Sequence, residues 1–244
     1  ELVGAFALAV ISEQSKKRII LARRGAPLLV GLGENEVYCA SDASALLQCT
    51  KSMIFMEDGD VADVTVNGPT FFDVDGKTVE REIYESELSS AQVELGRFDH
   101  YMQKEIFEQP GALAATLEMV TGSSAISPEL FGTEASSILK TIDSITIIAC
   151  GTSYHSGLTA KYWLEELAEV PVFVEIASEY RYRKPIANPN TLIVVISQSG
   201  ETADTIAALK YAKQLGQEKT LGICNVPESS ITRGTNLKFL TRAG

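Results

Sequence analysis

Apolar and polar positions change rhythm twice along these 244 residues. Up to about residue 79 the apolar runs are short and strand-like: Leu2–Ile11, Arg18–Ala22, Leu28–Gly31, Val37–Ala40, Ser52–Met56, Val61–Val66 and Thr70–Val74. Turn signals separate them, among them Ser12–Lys17, Gly25-Ala26-Pro27, Asp58-Gly59, Asn67-Gly68-Pro69 and Asp75-Gly76. Ser41 or Asp42 can cap a short helix over Ala43–Leu47. From Val79 to Asp99 the periodicity fades and Glu80, Glu82, Glu85, Glu87 and Glu94 make the chain acidic, which reads as a connector. From Tyr101 helical and strand patterns alternate. Tyr101–Phe107 starts a helix, Gln109-Pro110 interrupts or restarts it, and Ala112–Val120 continues it to Gly122. Pro128–Leu139 reads as a second helix, Ser144–Cys150 as a buried strand, and Tyr154–Leu167 as a helix. Pro171–Ile176 is a strand, followed by a short helical segment capped by Ser178 and containing Arg181, Tyr182, Arg183 and Lys184. Strand Leu192–Ile196, helix Ala203–Leu215 stopped by Gly216, and strands Lys219–Cys224 and Leu237–Leu240 complete the pattern. Strands joined by crossover helices predict a doubly wound parallel sheet. The expected organisation is a strand-rich domain over 1–79, a linker over 80–99 and an α/β domain over 100–244.

Composition narrows the classes of function. Hydrophobic residues make up 45% and charged residues 22%, as in an ordinary globular protein. A formal charge of −11 argues against nonspecific nucleic-acid binding. No apolar run approaches the roughly 20 residues needed to span a bilayer. Glu1 leads directly into a strand pattern, so the natural N-terminus is expected upstream. Cys39, Cys49, Cys150 and Cys224 are scattered without CxxC spacing. This disfavours a zinc site or disulfide framework and fits a reducing cytosol. Only His100 and His155 could serve a histidine metal site, and no cofactor or metal is expected. Asp58-Gly59-Asp60 lacks the remaining ligand positions of a calcium loop and reads as a turn.

Two strand ends carry candidate chemistry. Leu192–Ile196 runs into Ser197, Gln198, Ser199, Gly200, Glu201 and Thr202, and then into a helix. Backbone N–H groups and the helix dipole favour an anion there, hydroxyls add donors, and Gly200 lets the backbone approach closely. With no P-loop lysine and no GxGxxG, a small phosphate monoester is expected rather than a nucleotide. The alternative is that the serines only cap the helix. Cys150-Gly151-Thr152-Ser153 ends the other strand in the same way. In doubly wound sheets ligands bind beyond the carboxyl ends of strands, where the strand order reverses. Two hydroxyl-rich turns converging there suit a phosphorylated polyol. Thr152 and Ser153 would hold sugar hydroxyls, while Ser197, Gln198, Ser199 and Thr202 would surround the phosphate.

At these residues the chain resembles a known family. ACGTSYHSG (Ala149–Gly157), EIASEYRYRK (Glu175–Lys184), SQSGETADT (Ser197–Thr205), ICNVPESS (Ile223–Ser230) and HYMQKEIFEQP (His100–Pro110) are similar to the glutamine–fructose-6-phosphate aminotransferases. GAFALAVI, ARRGAPLLVGLG and ASD, within Gly4–Asp42, resemble the later half of their N-terminal-nucleophile glutaminase domain. The resemblance implies an αββα glutaminase layer followed by a first sugar-isomerase (SIS) subdomain. It implies fructose 6-phosphate as ligand on the CGTS and SQSGET turns, with Cys150 and Gly151 lining the site. It also implies ammonia delivered from the glutaminase domain, a homodimer in the cytoplasm, and the formation of glucosamine 6-phosphate.

The family's nucleophilic cysteine and its isomerase lysine, histidine and glutamate find no match in this chain, which is therefore expected to be inactive alone. His155 follows CGTS on a helix and reads as a packing or surface residue. Cys150, ending an apolar strand, is not read as a nucleophile. Two alternatives remain: a sugar-phosphate-sensing SIS regulatory module, and a protein like the fructosamine-6-phosphate deglycases. The strand-rich, acidic first part, without a basic recognition helix, disfavours the first. Gly4–Val74 disfavours the second.

Overall fold

The computed structural model describes residues 2–86, 95–121 and 126–243. The chain divides into two compact units, Glu1–Gly96 and Arg97–Gly244. Among the described residues no helix is long and apolar enough to cross a membrane.

The first unit is built from strands β1 (Phe6–Ile11), β2 (Arg18–Arg24), β3 (Leu29–Leu32), β4 (Val37–Ala40), β5 (Ser52–Phe55), β6 (Val61–Thr65), β7 (Gly68–Phe72), β8 (Thr78–Val79) and β9 (Ile83–Glu85). Among the described residues they form two antiparallel sheets, in the orders β1-β2-β6-β7-β8 and β4-β3-β5-β9. Side chains alternate across each strand, so one face of each sheet can be apolar. Leu21, Ala62, Val64 and Phe71 of the first sheet meet Val30 and Ile54 of the second in a shared core. The opposite face of β3 and β5, at Leu29 and Met53, is covered by Ala43, Leu46 and Leu47, and Ala43–Leu46 is a 3-10 helix.

Part of the stretch expected to be linker, 80–99, is folded onto this unit. Ile83–Glu85 pairs with β5, and Tyr84 packs edge-on against Phe55. Arg81 donates to both carboxylate oxygens of the buried Asp60, at 2.8 and 2.7 Å. A two-pronged charged contact at such a site fixes the crossing between the sheets, and acidic composition alone gives no sign of it. Residues 87–94 lie outside the described residues.

The second unit opens with helix α1 (Tyr101–Thr121). Pro110 sits inside it without breaking it, contrary to the expected interruption. Good helix formers on both sides, the Lys104–Glu108 pair and the stacked Phe98–Phe107 rings support the continuous helix. The helix expected over Pro128–Leu139 is two elements, a 3-10 turn at Pro128–Phe131 and α2 (Ala135–Leu139). Gly132, at φ 129°, separates them. Then follow β10 (Ser144–Ala149), α3 (Gly151–Ala168), β11 (Val172–Ile176) and α4 (Ala177–Tyr180). Next come β12 (Thr191–Ser197), α5 (Ala203–Gln214), β13 (Thr220–Cys224), α6 (Ser230–Gly234) and β14 (Leu237–Leu240). Ser178 lies inside α4 rather than capping it, and Arg181–Lys184 follow the helix. The chain turns straight from β11 into α4, with Ile176 as its N-cap.

Among the described residues these strands form one parallel sheet in the order β11-β10-β12-β13-β14. The central strands are buried on both faces, which is why they read as unbroken apolar runs. Ile148, Ile193 and Val195 pack under α4, α5 and α6 with Ala177, Ala208 and Ile231. Ile147, Leu192 and Val194 pack on the other side with Ala135, Val172 and Leu237. The sheet grows outward in both directions from the β10–β12 pair, so the strand order reverses between those two strands.

Candidate functional site

The β10–β12 boundary sets the site. In register, Ala149 stands beside Ile196. Beyond this pair β10 ends and Cys150 begins its polar turn, while β12 runs one residue further, to Ser197 paired with Cys224, before its own turn; neighbouring strands lie about 4.8 Å apart. Cys150 is extended and serves as the N-cap residue of α3, with its carbonyl accepting from the Tyr154 N–H (3.3 Å). Gly151 follows at φ 57°. Thr152 is exposed and Ser153 half-buried. Thr202 is the N-cap residue of α5, and neither Cys150 nor Thr202 makes a side-chain capping bond.

The hydroxyls of the second turn are arranged among themselves. Ser197 Oγ and Thr202 Oγ1 are 3.0 Å apart, and Ser197 Oγ also accepts from the Gly200 N–H at 3.1 Å. Ser199 Oγ accepts from the Glu201 N–H at 3.2 Å. A hydroxyl has one donor proton and two acceptor sites. Whichever of Ser197 and Thr202 donates to the other, one proton of that pair remains for a ligand, and the Ser199 proton remains too. Gln198 is exposed, and its carbonyl accepts from Asn225 N–H (3.1 Å) and from the Cys224 thiol (3.5 Å).

Two carboxylates stand near the start of α5, where an anion would bind. Asp204 accepts from Arg181 at 2.7 Å, and Glu201 accepts from the Ser230 N–H and hydroxyl at 2.7 and 2.8 Å. Both acids are therefore engaged with donors. Burial pushes the Cys224 thiol up, which suits a packing role beside Ser229. Cys150 Sγ lies 4.0 Å from Thr205 Oγ1 in the first turn of α5, joining the two turns. His155 is exposed on α3 with its ring edge-on to Tyr154.

The structure thus brings Cys150, Gly151, Thr152 and Ser153 beside Ser197, Gln198, Ser199 and Thr202 at adjacent strand ends. It adds Glu201, Ser229 and Ser230, to which the sequence reading assigned no role. The signal was the ICNVPESS segment, which stands at the end of the next strand, β13. Among the described residues, no group of His, Cys, Asp and Glu gathers as a set of metal ligands. A groove of about 630 Å³ lies in the first unit between Leu32, Val37, Val66 and Arg81. Its one arginine is committed to Asp60, so size alone does not select it.

Residues 138–244 match the family model described as the SIS domain. The chain is 54% identical over 244 residues to the glutamine–fructose-6-phosphate aminotransferase [isomerizing] of Xanthomonas campestris. It is 52% identical over 243 residues to the protein of that name from Xylella fastidiosa. Each alignment covers 100% of this chain and 40% of the relative, so the chain spans well under half the length of these relatives. A solved structure, the C-terminal domain of glucosamine-fructose-6-phosphate aminotransferase from Francisella tularensis, superposes with TM-score 0.59 at 45% identity. That superposition covers 62% of this chain and 43% of that one. The resemblance first seen in separate motifs therefore holds along the whole chain.

Proposed function

We propose that this chain is the part of a glutamine–fructose-6-phosphate aminotransferase that holds the sugar phosphate. The complete enzyme converts fructose 6-phosphate and glutamine into glucosamine 6-phosphate and glutamate. In this reading the first unit is the later half of an N-terminal-nucleophile glutaminase domain. Its two apposed sheets suit the inner layers of an αββα fold. Ammonia from that domain reaches the sugar, and the enzyme is a cytoplasmic homodimer. The observation that carries the reading is the pair of hydroxyl-rich turns on β10 and β12 where the strand order reverses, in a chain 54% identical to an enzyme named for this sugar phosphate.

Ser199 and Thr202 face the anion, with Ser197 buried behind them. Thr152 and Ser153 take the sugar hydroxyls, Gln198 closes the side, and the Cys150-Gly151 backbone lines the floor. A hydrogen bond to a charged group contributes about 1.5–3 kcal/mol, or roughly tenfold to a hundredfold in affinity. Ser199→Ala and Thr202→Ala in the complete enzyme are expected to weaken fructose 6-phosphate binding by that factor with the fold retained. Thr152→Ala should weaken the sugar and leave inorganic phosphate nearly unchanged. Calorimetric titration beside melting curves tests this. If stability falls while affinity holds, these hydroxyls are caps and the sugar site lies elsewhere.

A further inference from the structure

The phosphate turn does not hold its shape alone. It is fastened to Cys224–Ile231, the segment leaving the neighbouring strand β13. The backbone supplies part of the fastening: the Ile231 N–H donates to the Gly200 carbonyl at 3.1 Å, and the Asn225 N–H to the Gln198 carbonyl at 3.1 Å. Gly200 is buried at φ 69°, pressed against Ser229 and Cys224. One side chain completes it. The Glu201 carboxylate takes both the N–H and the hydroxyl of Ser230, the first residue of α6, at 2.7 and 2.8 Å.

An acidic residue between two phosphate-binding hydroxyls is unexpected on electrostatic grounds, because like charge opposes a bound dianion. Here the carboxylate is turned toward Ser230, which gives it two donors. The residue is also the hinge of the donor array. Its own N–H holds Ser199 Oγ, and its carbonyl side leads directly into Thr202. Movement of Glu201 would shift both hydroxyls together.

We propose that Glu201 is a positioning residue, latched by Ser230, that fixes Ser199 and Thr202 in the geometry that receives the phosphate. This rests on the sugar-phosphate reading above. Through it, ICNVPESS acts on the ligand without touching it.

The test uses the complete enzyme, with fructose 6-phosphate and inorganic phosphate as titrants. Glu201→Ala should weaken both about tenfold, the scale of one misplaced charge-assisted bond. Glu201→Gln should restore affinity to within about twofold, because its amide oxygen can accept from the Ser230 N–H and its NH₂ can donate to the hydroxyl. Ser230→Ala, which keeps the N–H, should fall between them. The double variant should be no weaker than Glu201→Ala, since both changes open one latch. A lower melting temperature with unchanged affinity in Glu201→Ala overturns the proposal. So does a Gln variant as weak as the Ala variant, which would assign the effect to charge. Should Glu201→Ala not fold, a folded Ser230→Ala with unchanged affinity overturns it equally. If the unsubstituted enzyme binds neither titrant, the sugar-phosphate reading fails and this inference fails with it. Binding by the unsubstituted enzyme, with affinity unmoved by either substitution, removes the latch alone.

Discussion

Gly200 and Gly151 show how much one position can depend on its surroundings. Both belong to the turns of the candidate site and have positive φ, 69° and 57°. A side chain at Gly151 would meet nothing within 4 Å. Gly151→Ala should therefore cost only the left-handed backbone, about 1–2 kcal/mol. At Gly200 a Cβ would be 2.6 Å from Cys224 Sγ and closer still to Ser229, which is buried. Gly200→Ala adds displacement of that packed segment and should exceed about 4 kcal/mol, the range reserved for disrupted cores. Denaturant melts of the two variants decide this, and equal losses would mean that the turn is not pressed against Ser229. The sequence marked both glycines as turn residues and assigned Gly200 close approach, though to a ligand. The neighbour that demands it comes from β13, 24 residues later by the Cys224 contact, and no local pattern carries that information.

At the level of elements, what could be read in advance was what a local period writes. β4 and β14 occupy the expected residues, and β10, β12 and α5 differ only at their ends. Elements decided by tertiary contact were missed. β9 owes its place to pairing with β5, and α6 is a single turn capped by Ser229, whose Oγ accepts from the Thr232 N–H at 3.4 Å. α4 is short enough to need such help as well. Its Tyr180 hydroxyl donates to Gln217, just beyond α5, at 2.7 Å, and both residues are buried. Burial pushes the Tyr180 phenol up to about 12 from an ordinary value near 10. The folded chain then keeps a proton that the unfolded chain releases. The stability linked to Tyr180 is complete below pH 10 and declines as pH rises from about 10 toward 12. Tyr180→Phe leaves Gln217 without that donor and should cost about 1–3 kcal/mol at neutral pH. It should also flatten the alkaline decline. Urea titrations at pH 7 and above pH 10 measure both, and an unchanged alkaline slope would show that other groups carry it.

For the molecule as a whole, the two changes of rhythm in the sequence correspond to two separately built units, and the candidate site of the second lies among hydroxyl-rich turns. Moving a proton between neighbouring carbons of a sugar requires an acid–base group within hydrogen-bond reach that can change charge near working pH. Around the β10 and β12 turns the side chains are hydroxyls, an amide and a thiol. The nearby carboxylates are engaged, Glu201 by Ser230 and Asp204 by Arg181, and His155 stands exposed against Tyr154. Under the proposed function such a site orients a sugar phosphate and stabilises its charge, while its described carboxylates are held by other partners and His155 lies on the exposed side of its helix. The 244-residue chain, given fructose 6-phosphate and ammonia, should therefore form no glucosamine 6-phosphate above the uncatalysed background. A sensitive product assay on the purified chain tests this. Turnover abolished by a substitution within the chain, Glu201→Gln or His155→Ala for example, would mean that one of these groups moves the proton after all. In that case the proposed role of this chain, holding the sugar phosphate without moving its proton, would have to be redrawn.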